Sequence, residues 1–187
     1  MENFIVKQMD INDKKEVERI YVENFPKVER VPFHKLFLEP FSDFKLYVFF
    51  NSADCILGFV HLIVNQDFVH INYLAVDKKY QRNGFGSKII DWVKLEFGKP
   101  IVVDVELFCL NVLNVEERAK RLNFYYKNWF IDGDKEFDWA GTKMFYMSTC
   151  EIPVEKFMSH IVKCFPTISN IQPHESIKEQ VNNFLNL

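Results

Sequence analysis

Long apolar runs are scarce in this 187-residue sequence: no stretch reaches the roughly 18 uncharged apolar residues that a membrane-spanning helix needs. A surplus of positive charge is missing too, because 23 Lys and Arg stand against 26 Asp and Glu, a formal net charge of -3. That balance argues against a nucleic-acid surface and suits a cationic partner. The four cysteines (Cys55, Cys109, Cys150, Cys164) include no C-x-x-C pair, and the five histidines show no ligand spacing, so no metal is expected. Cys55, Cys109 and Cys164 sit beside apolar residues, which predicts small buried hydrophobes with free thiols in a reducing cytoplasm. A basic, apolar, small-residue leader is absent from an N-terminus carrying Glu2 and Asp10. Internal repeats and low-complexity tracts are absent as well.

What is present is apolar bulk. Nearly half the residues are hydrophobic and 20 are Phe, enough for a dense core in a single domain with an appendage. Phe4-Ile5-Val6 opens a strand, and Asn12 or Asp13 could cap a helix through Val22 that ends at Phe25-Pro26. Pro32 starts a short second helix through Leu38. Leu46–Phe50, Ile56–Val64 and Val69–Val76 read as a three-strand meander with turns at 51–54 and 65–67. A helix after Gly84 puts Ile89, Ile90, Val93 and Phe97 on one face and stops at Gly98 and Pro100. Ile101–Leu107 is a strand, a helix runs from about Val115, and strands follow from Phe130 and from Thr142 to Ser148. Antiparallel runs with helices on both faces indicate a mixed α/β layer fold. Residues 151–187 form an extension. Val154, Phe157, Met158, Ile161, Val162 and Phe165, and then Ile177, Val181, Phe184 and Leu185, mark two amphipathic helices around a loop from Pro166 to Pro173. Packing on the parent domain, dimer contact and a lid all remain open for them.

The densest signal is Tyr73 to Ile90, where an apolar strand meets a basic loop and two glycines open a helix. Such a layout aims a nest of backbone N–H groups at an anion such as a pyrophosphate. Gly84 and Gly86 allow close approach of a ligand to the main chain, and Lys78, Lys79 and Arg82 add positive charge. A Walker loop is excluded because Gly86-Ser87-Lys88 lacks the order G-x-x-x-x-G-K-S/T. A Rossmann fingerprint is excluded because Ile89 stands where the third glycine belongs.

Gln81-x-x-Gly84-x-Gly86, directly after Leu74-Ala75-Val76, resembles the acyl-CoA pyrophosphate loop of the GNAT N-acetyltransferase superfamily, with its pattern Q/R-x-x-G-x-G/A. The resemblance covers about residues 1–150. It implies the α/β GNAT fold, a mixed, mostly antiparallel sheet with helices on both faces. It also implies an acetyl-CoA-dependent, bacterial-type N-acetyltransferase, acting directly on a primary amine of a small molecule or peptide and often dimeric. Gln81, Arg82, Asn83, Gly84, Phe85, Gly86 and Ser87 would hold the pyrophosphate. The main chain of Leu74, Ala75 and Val76 would hold the pantetheine arm and polarise the thioester carbonyl.

Transfer from acetyl-CoA needs an unprotonated amine, and freeing one at neutral pH costs about 4.6 kcal/mol for a pKa near 10.4. It also needs an acid for the departing thiolate. Arg121–Phe130 resembles the GNAT segment ending F-Y-x-x-x-G-F, which implies Tyr125 as that acid. Tyr126 fits the core stripe better than Tyr125 does. Trp129 stands where the family usually has glycine, and a bulky ring there is expected to reshape the loop. For the base, Glu106 matches a glutamate common on the following strand. His70 titrates in the right range and shares a strand face with Asn72, itself a candidate substrate contact that cannot act as a base. Phe25-Pro26-Lys27-Val28-Glu29-Arg30 resembles an F-P-x-x-E-R segment of a bacterial GNAT subgroup. That match implies Glu29 as a partner for a substrate ammonium, beside the plainer reading of a proline-bounded turn. The alternative to catalysis is an inactive GNAT-fold acyl-CoA binding or sensor protein.

Overall fold

Alternating large apolar residues build the first of the two units into which the chain divides, Met1–Lys99 and Pro100–Leu187. The computed structural model describes residues 4–37, 43–139, 141–164 and 167–186. In the first unit, β1 (Ile5–Gln8), β2 (Phe44–Phe50), β3 (Ile56–Val64) and β4 (Val69–Val76) pair antiparallel in chain order. The helix α1 (Lys14–Asn24) buries Val17, Ile20 and Tyr21 against Leu46, Val48, Phe50, Phe59, Tyr73 and Ala75. The intervening residues Tyr47 and Phe49 face the other way and meet Trp92 of α2 (Phe85–Phe97). Strand alternation therefore puts one helix on each face of the meander. β3 is buried almost throughout for the same reason. Gly58 is obligatory there, since a Cβ would lie 2.3 Å from the Ala75 carbonyl oxygen.

Between α1 and β2 the helix expected from Pro32 is a 3-10 segment, Phe33–Phe37, and another 3-10 turn, Lys27–Glu29, precedes it; Leu38 lies outside the described residues. Tyr21 donates to the Val31 carbonyl at 3.1 Å and Tyr73 to that of Glu29 at 2.9 Å, so two tyrosines tie this segment to α1 and to β4. Asp13 precedes α1, but its carboxylate does not cap the helix. It accepts from Asp10 N at 3.2 Å and pairs with Lys7 at 3.5 Å.

The second unit contains β5 (Ile101–Glu106), α3 (Val115–Lys127), β6 (Ile131–Trp139), β7 (Thr142–Ser148), α4 (Val154–Cys164), β8 (Ser169–Pro173) and α5 (Lys178–Leu185). Its strand order is β5-β7-β6-β8, again antiparallel at every pair. The expected loop before Pro173 is therefore β8; Phe165 and Pro166 are outside the described residues. Every residue of Ser169–Pro173 is exposed, so no apolar alternation announces the strand. It forms because the edge of β6 offers unpaired backbone groups. Acidic side chains of β6 fasten the extension further. Asp132 accepts from Ser176 Oγ at 2.6 Å and Ile177 N at 3.0 Å, Glu136 from His174 Nδ1 at 3.3 Å, and Asp138 from Asn170.

The cysteines correct a sequence expectation. All four are free, but Cys55, Cys109 and Cys150 are exposed and Cys164 is half-buried. Cys55 lies just before β3, so the apolar residues that follow it belong to the strand and not to the cysteine's own surroundings, and Cys109 lies in the connection after β5.

Trp129 corrects a second one. Its φ is +69°, the left-handed conformation that a glycine would take at this place. Trp129 N donates to Tyr126 O at 3.1 Å and Phe130 N to Tyr125 O at 3.1 Å, the paired bonds of a Schellman helix end. The rings of Phe130 and Tyr125 supply its apolar contact at 5.2 Å. The ring of Trp129 points to solvent with 81% of its surface exposed, so the turn keeps its shape and bears the strain. Trp129→Gly should remove about 1 kcal/mol of that strain at almost no loss of burial. The melting temperature should rise by about 2–4 °C; a lower one would show that the indole is held by contacts.

Candidate active site

The strand-to-helix junction after β4 is fixed from behind. Asp77, 2% exposed, gives its backbone N–H to Leu57 O at 2.8 Å, accepts Lys79 N–H at 2.8 Å and binds Arg19 of α1. Burial pushes its carboxyl up, but the Lys79 amide and the Arg19 guanidinium outweigh that and hold it below the usual carboxylate range. Arg19 also pairs with Glu16 at 2.6 Å and Glu23 at 2.8 Å. Gln81 turns its amide inward, donating to Val76 O at 3.1 Å and Asn24 Oδ1 at 2.9 Å. Asn83 donates to Tyr80 O at 3.2 Å. The side chains of Gln81 and Asn83 thus hold the loop in shape, a role that the pattern alone does not distinguish from ligand contact.

The front of the loop is open. Arg82 (φ +64°) and Gly84 (φ +77°) take left-handed conformations, and α2 begins at Phe85 with no side-chain cap on its first turn. Phe85 is buried and pins the start of the helix, while Gly86 and Ser87 are half-buried beside it. Lys78, Lys79 and Arg82 are exposed on the loop that leads into this end. An uncapped helix start with unpaired donors and a positive dipole end, following a loop that carries three cations, attracts an anion. The loop residues named from sequence are therefore brought together.

Along β4, Leu74 is half-buried, and Ala75 and Val76 are buried. Pairing runs His61↔Tyr73 and then Leu62↔Ile71, which leaves Asn72 as an extra residue in a β-bulge. Asn72 Nδ2 donates to His61 Nδ1 at 3.1 Å, and His61 Nε2 donates to Leu36 O at 3.2 Å. Both bonds fit a neutral imidazole protonated at Nε2. Burial lowers the His61 pKa to about 4; the Leu36 carbonyl opposes the shift and His70 adds to it. His61 escaped the sequence reading, because a lone histidine in an apolar strand carries no spacing signal. His70 is on β4 opposite Ile63 and has no exposed surface. Glu29 is half-buried in its 3-10 turn, tethered through its carbonyl.

In the second unit, Tyr125 and Tyr126 are both buried on α3. Tyr126 donates to Asp132 Oδ2 at 3.1 Å, a structural bond. Tyr125 lies against Phe124 and Phe130, each 5.2 Å away. Burial pushes its phenol up to about 12, with Arg121 pulling down and Asp104 pushing up. It is therefore a protonated donor at neutral pH. Glu106 is enclosed, with one oxygen on Arg118 Nη2 and the other on Arg121 Nη1, both at 2.8 Å. Among the described residues, no three His, Cys, Asp or Glu side chains group as metal ligands, and no helix is long and apolar enough to cross a membrane.

Residues 14–107, half of the chain, match the family described as the Acetyltransferase (GNAT) family. No curated protein matches the sequence. Among solved structures, a Bacteroides thetaiotaomicron protein assigned as an acetyltransferase from the GNAT family is 20% identical, with a TM-score of 0.68 over 86% of this chain and 94% of that one. The ribosomal-protein-S18-alanine N-acetyltransferase of Escherichia coli is 14% identical, with a TM-score of 0.58 over 78% and 92%. A Bacillus anthracis protein described as a streptothricin acetyltransferase, solved in complex with acetyl coenzyme A, is 16% identical, with a TM-score of 0.54 over 80% and 99%. Likeness at these identities establishes the α/β fold that the three share with this chain.

The buried imidazole makes a pH prediction. His61 has a folded pKa of about 4 against about 6.5 unfolded, so below pH 6.5 the unfolded chain takes the proton first. Stability should therefore fall as pH drops from 6.5 towards 4, by up to about 1.4 kcal/mol per pH unit from this group. Urea melts of the parent and of His61→Gln, whose amide can still donate to Leu36, should differ in slope across that window. Equal slopes would clear His61 of the effect.

Proposed function

This chain belongs to the acetyltransferase (GNAT) family, and on that premise we propose that it is an acetyl-CoA-dependent N-acetyltransferase. In this reading the acetyl group passes directly to a primary amine of a small molecule or peptide. The observation that carries the proposal is the uncapped start of α2 behind Gly84 at φ +77°, with Lys78, Lys79 and Arg82 exposed on the loop that leads into it. Backbone N–H groups from Phe85 to Ser87 take the pyrophosphate, and the Leu74–Val76 main chain takes the pantetheine arm and polarises the thioester carbonyl. Tyr125 supplies the proton for the thiolate: its buried phenol is held in the protonated form at neutral pH, so a proton is present when the thiolate departs. Glu106 is clamped by two guanidiniums and His70 is enclosed, so neither takes the amine's proton here; it leaves through water. Glu29 remains the candidate contact for the acceptor's ammonium, and Asn72 acts through His61.

That same shortage of a ready base favours a second reading, an acyl-CoA binding protein without turnover. One experiment separates the two. Calorimetry with coenzyme A should give binding that Gly84→Val weakens at least about tenfold, since a β-branched residue is strained at this φ. Purified chain with acetyl-CoA and a panel of polyamines, amino acids and peptide N-termini should release free thiol. Tyr125→Phe should cut turnover by about a hundredfold and leave coenzyme A affinity within about twofold. Tight binding with no thiol released from any amine would leave only the second reading.

A further inference from the structure

Glu106, Arg118 and Arg121 form a charged cluster in the second unit that the pyrophosphate loop does not use. Glu106 ends β5 and is 4% exposed. Arg118, besides its 2.8 Å contact with Glu106, donates to Leu107 O at 2.9 Å and Asn114 Oδ1 at 3.0 Å. Its guanidinium is therefore committed to the connection between β5 and α3. Arg121 is held by Glu106 through Nη1 and precedes Tyr125 by four residues, the spacing that brings helical side chains onto one face. The charged groups bearing on the Tyr125 hydroxyl are Arg121 on α3, which favours the phenolate, and Asp104 on β5, which disfavours it.

We propose that Arg121 is a positioning residue: Glu106 fixes its guanidinium one turn before Tyr125, where its charge steadies the phenolate left by proton donation. This inference rests on the acetyl-transfer reading. Starting from a neutral amine, the nitrogen–carbon bond forms and the acetyl carbon–sulfur bond breaks with its electron pair going to sulfur. The sulfur takes the Tyr125 proton. The surplus proton on the new amide nitrogen then returns to the phenolate through solvent, so that amide and free thiol leave and Tyr125 is restored. Glu106 thereby acts on the reaction by holding a cation.

The test installs fluorotyrosine at position 125, because fluorine lowers the phenol's ionisation into an accessible range and its resonance reports the phenolate directly. Arg121→Gln should move the resonance midpoint up by about half to one pH unit, a partly screened charge effect. The turnover number should fall by the corresponding three- to tenfold or so, with KM for acetyl-CoA within about twofold. Arg121→Lys keeps the charge and should restore most of both. An unmoved midpoint in both Arg121→Gln and Glu106→Gln overturns the proposal, and so does a moved midpoint with unchanged turnover. Failure of the transfer reading itself is told apart because the midpoint needs no turnover: a parent chain that releases no thiol sinks that reading whatever the resonance does.

Discussion

The buried carboxylate of Asp77 is the constraint on which the loop depends. It ties the end of β4 to Arg19 of α1 while also accepting the Lys79 amide. A carboxylate at 2% exposure is tolerable only because those donors replace its lost water. With the junction anchored from behind, α2 can start without a cap of its own. Its first-turn N–H groups then stay available for an anion, which a self-capping Ser or Asp at position 84 would have consumed.

Charge in this protein works by placement rather than by total. The chain is acidic overall, yet Lys78, Lys79 and Arg82 all fall in the short loop before one helix start. Two glutamates pair with Arg19 from within α1, and the carboxylate of Glu106 is shared between two arginines of α3. His61 goes the other way and is kept neutral by burial, with Asn72 and Leu36 satisfying its two nitrogens. Residues that carry the same formal charge on paper are a base, an anchor or a spectator according to what holds them.

The β3, β4 and β7 limits and the start of α2 were legible because apolar runs and turn residues are local signals. Gly84 declared itself for the same reason, since only a residue tolerant of positive φ suits that turn. Trp129 shows the limit of such reasoning, because the helix end imposes a glycine-like conformation on a residue that would not choose it. β8 shows another: a polar strand made by a neighbour's open edge leaves no pattern in its own residues. The inward turn of Gln81 and the bulge at Asn72 likewise come from partners on other elements.

The order of residues by itself determined where most of the strands and helices run, that a glycine-opened helix follows β4, and which side chains are candidates for chemistry. Periodicity, turn preference and net charge are properties of neighbours along the chain, so they need no fold. Only the tertiary structure decided that Glu106 is clamped, that His61 rather than His70 is bonded to Asn72, and that Arg121 is held by a carboxylate one turn from Tyr125. Those outcomes depend on burial and on hydrogen bonds between residues far apart in sequence, and these come into being when the elements pack.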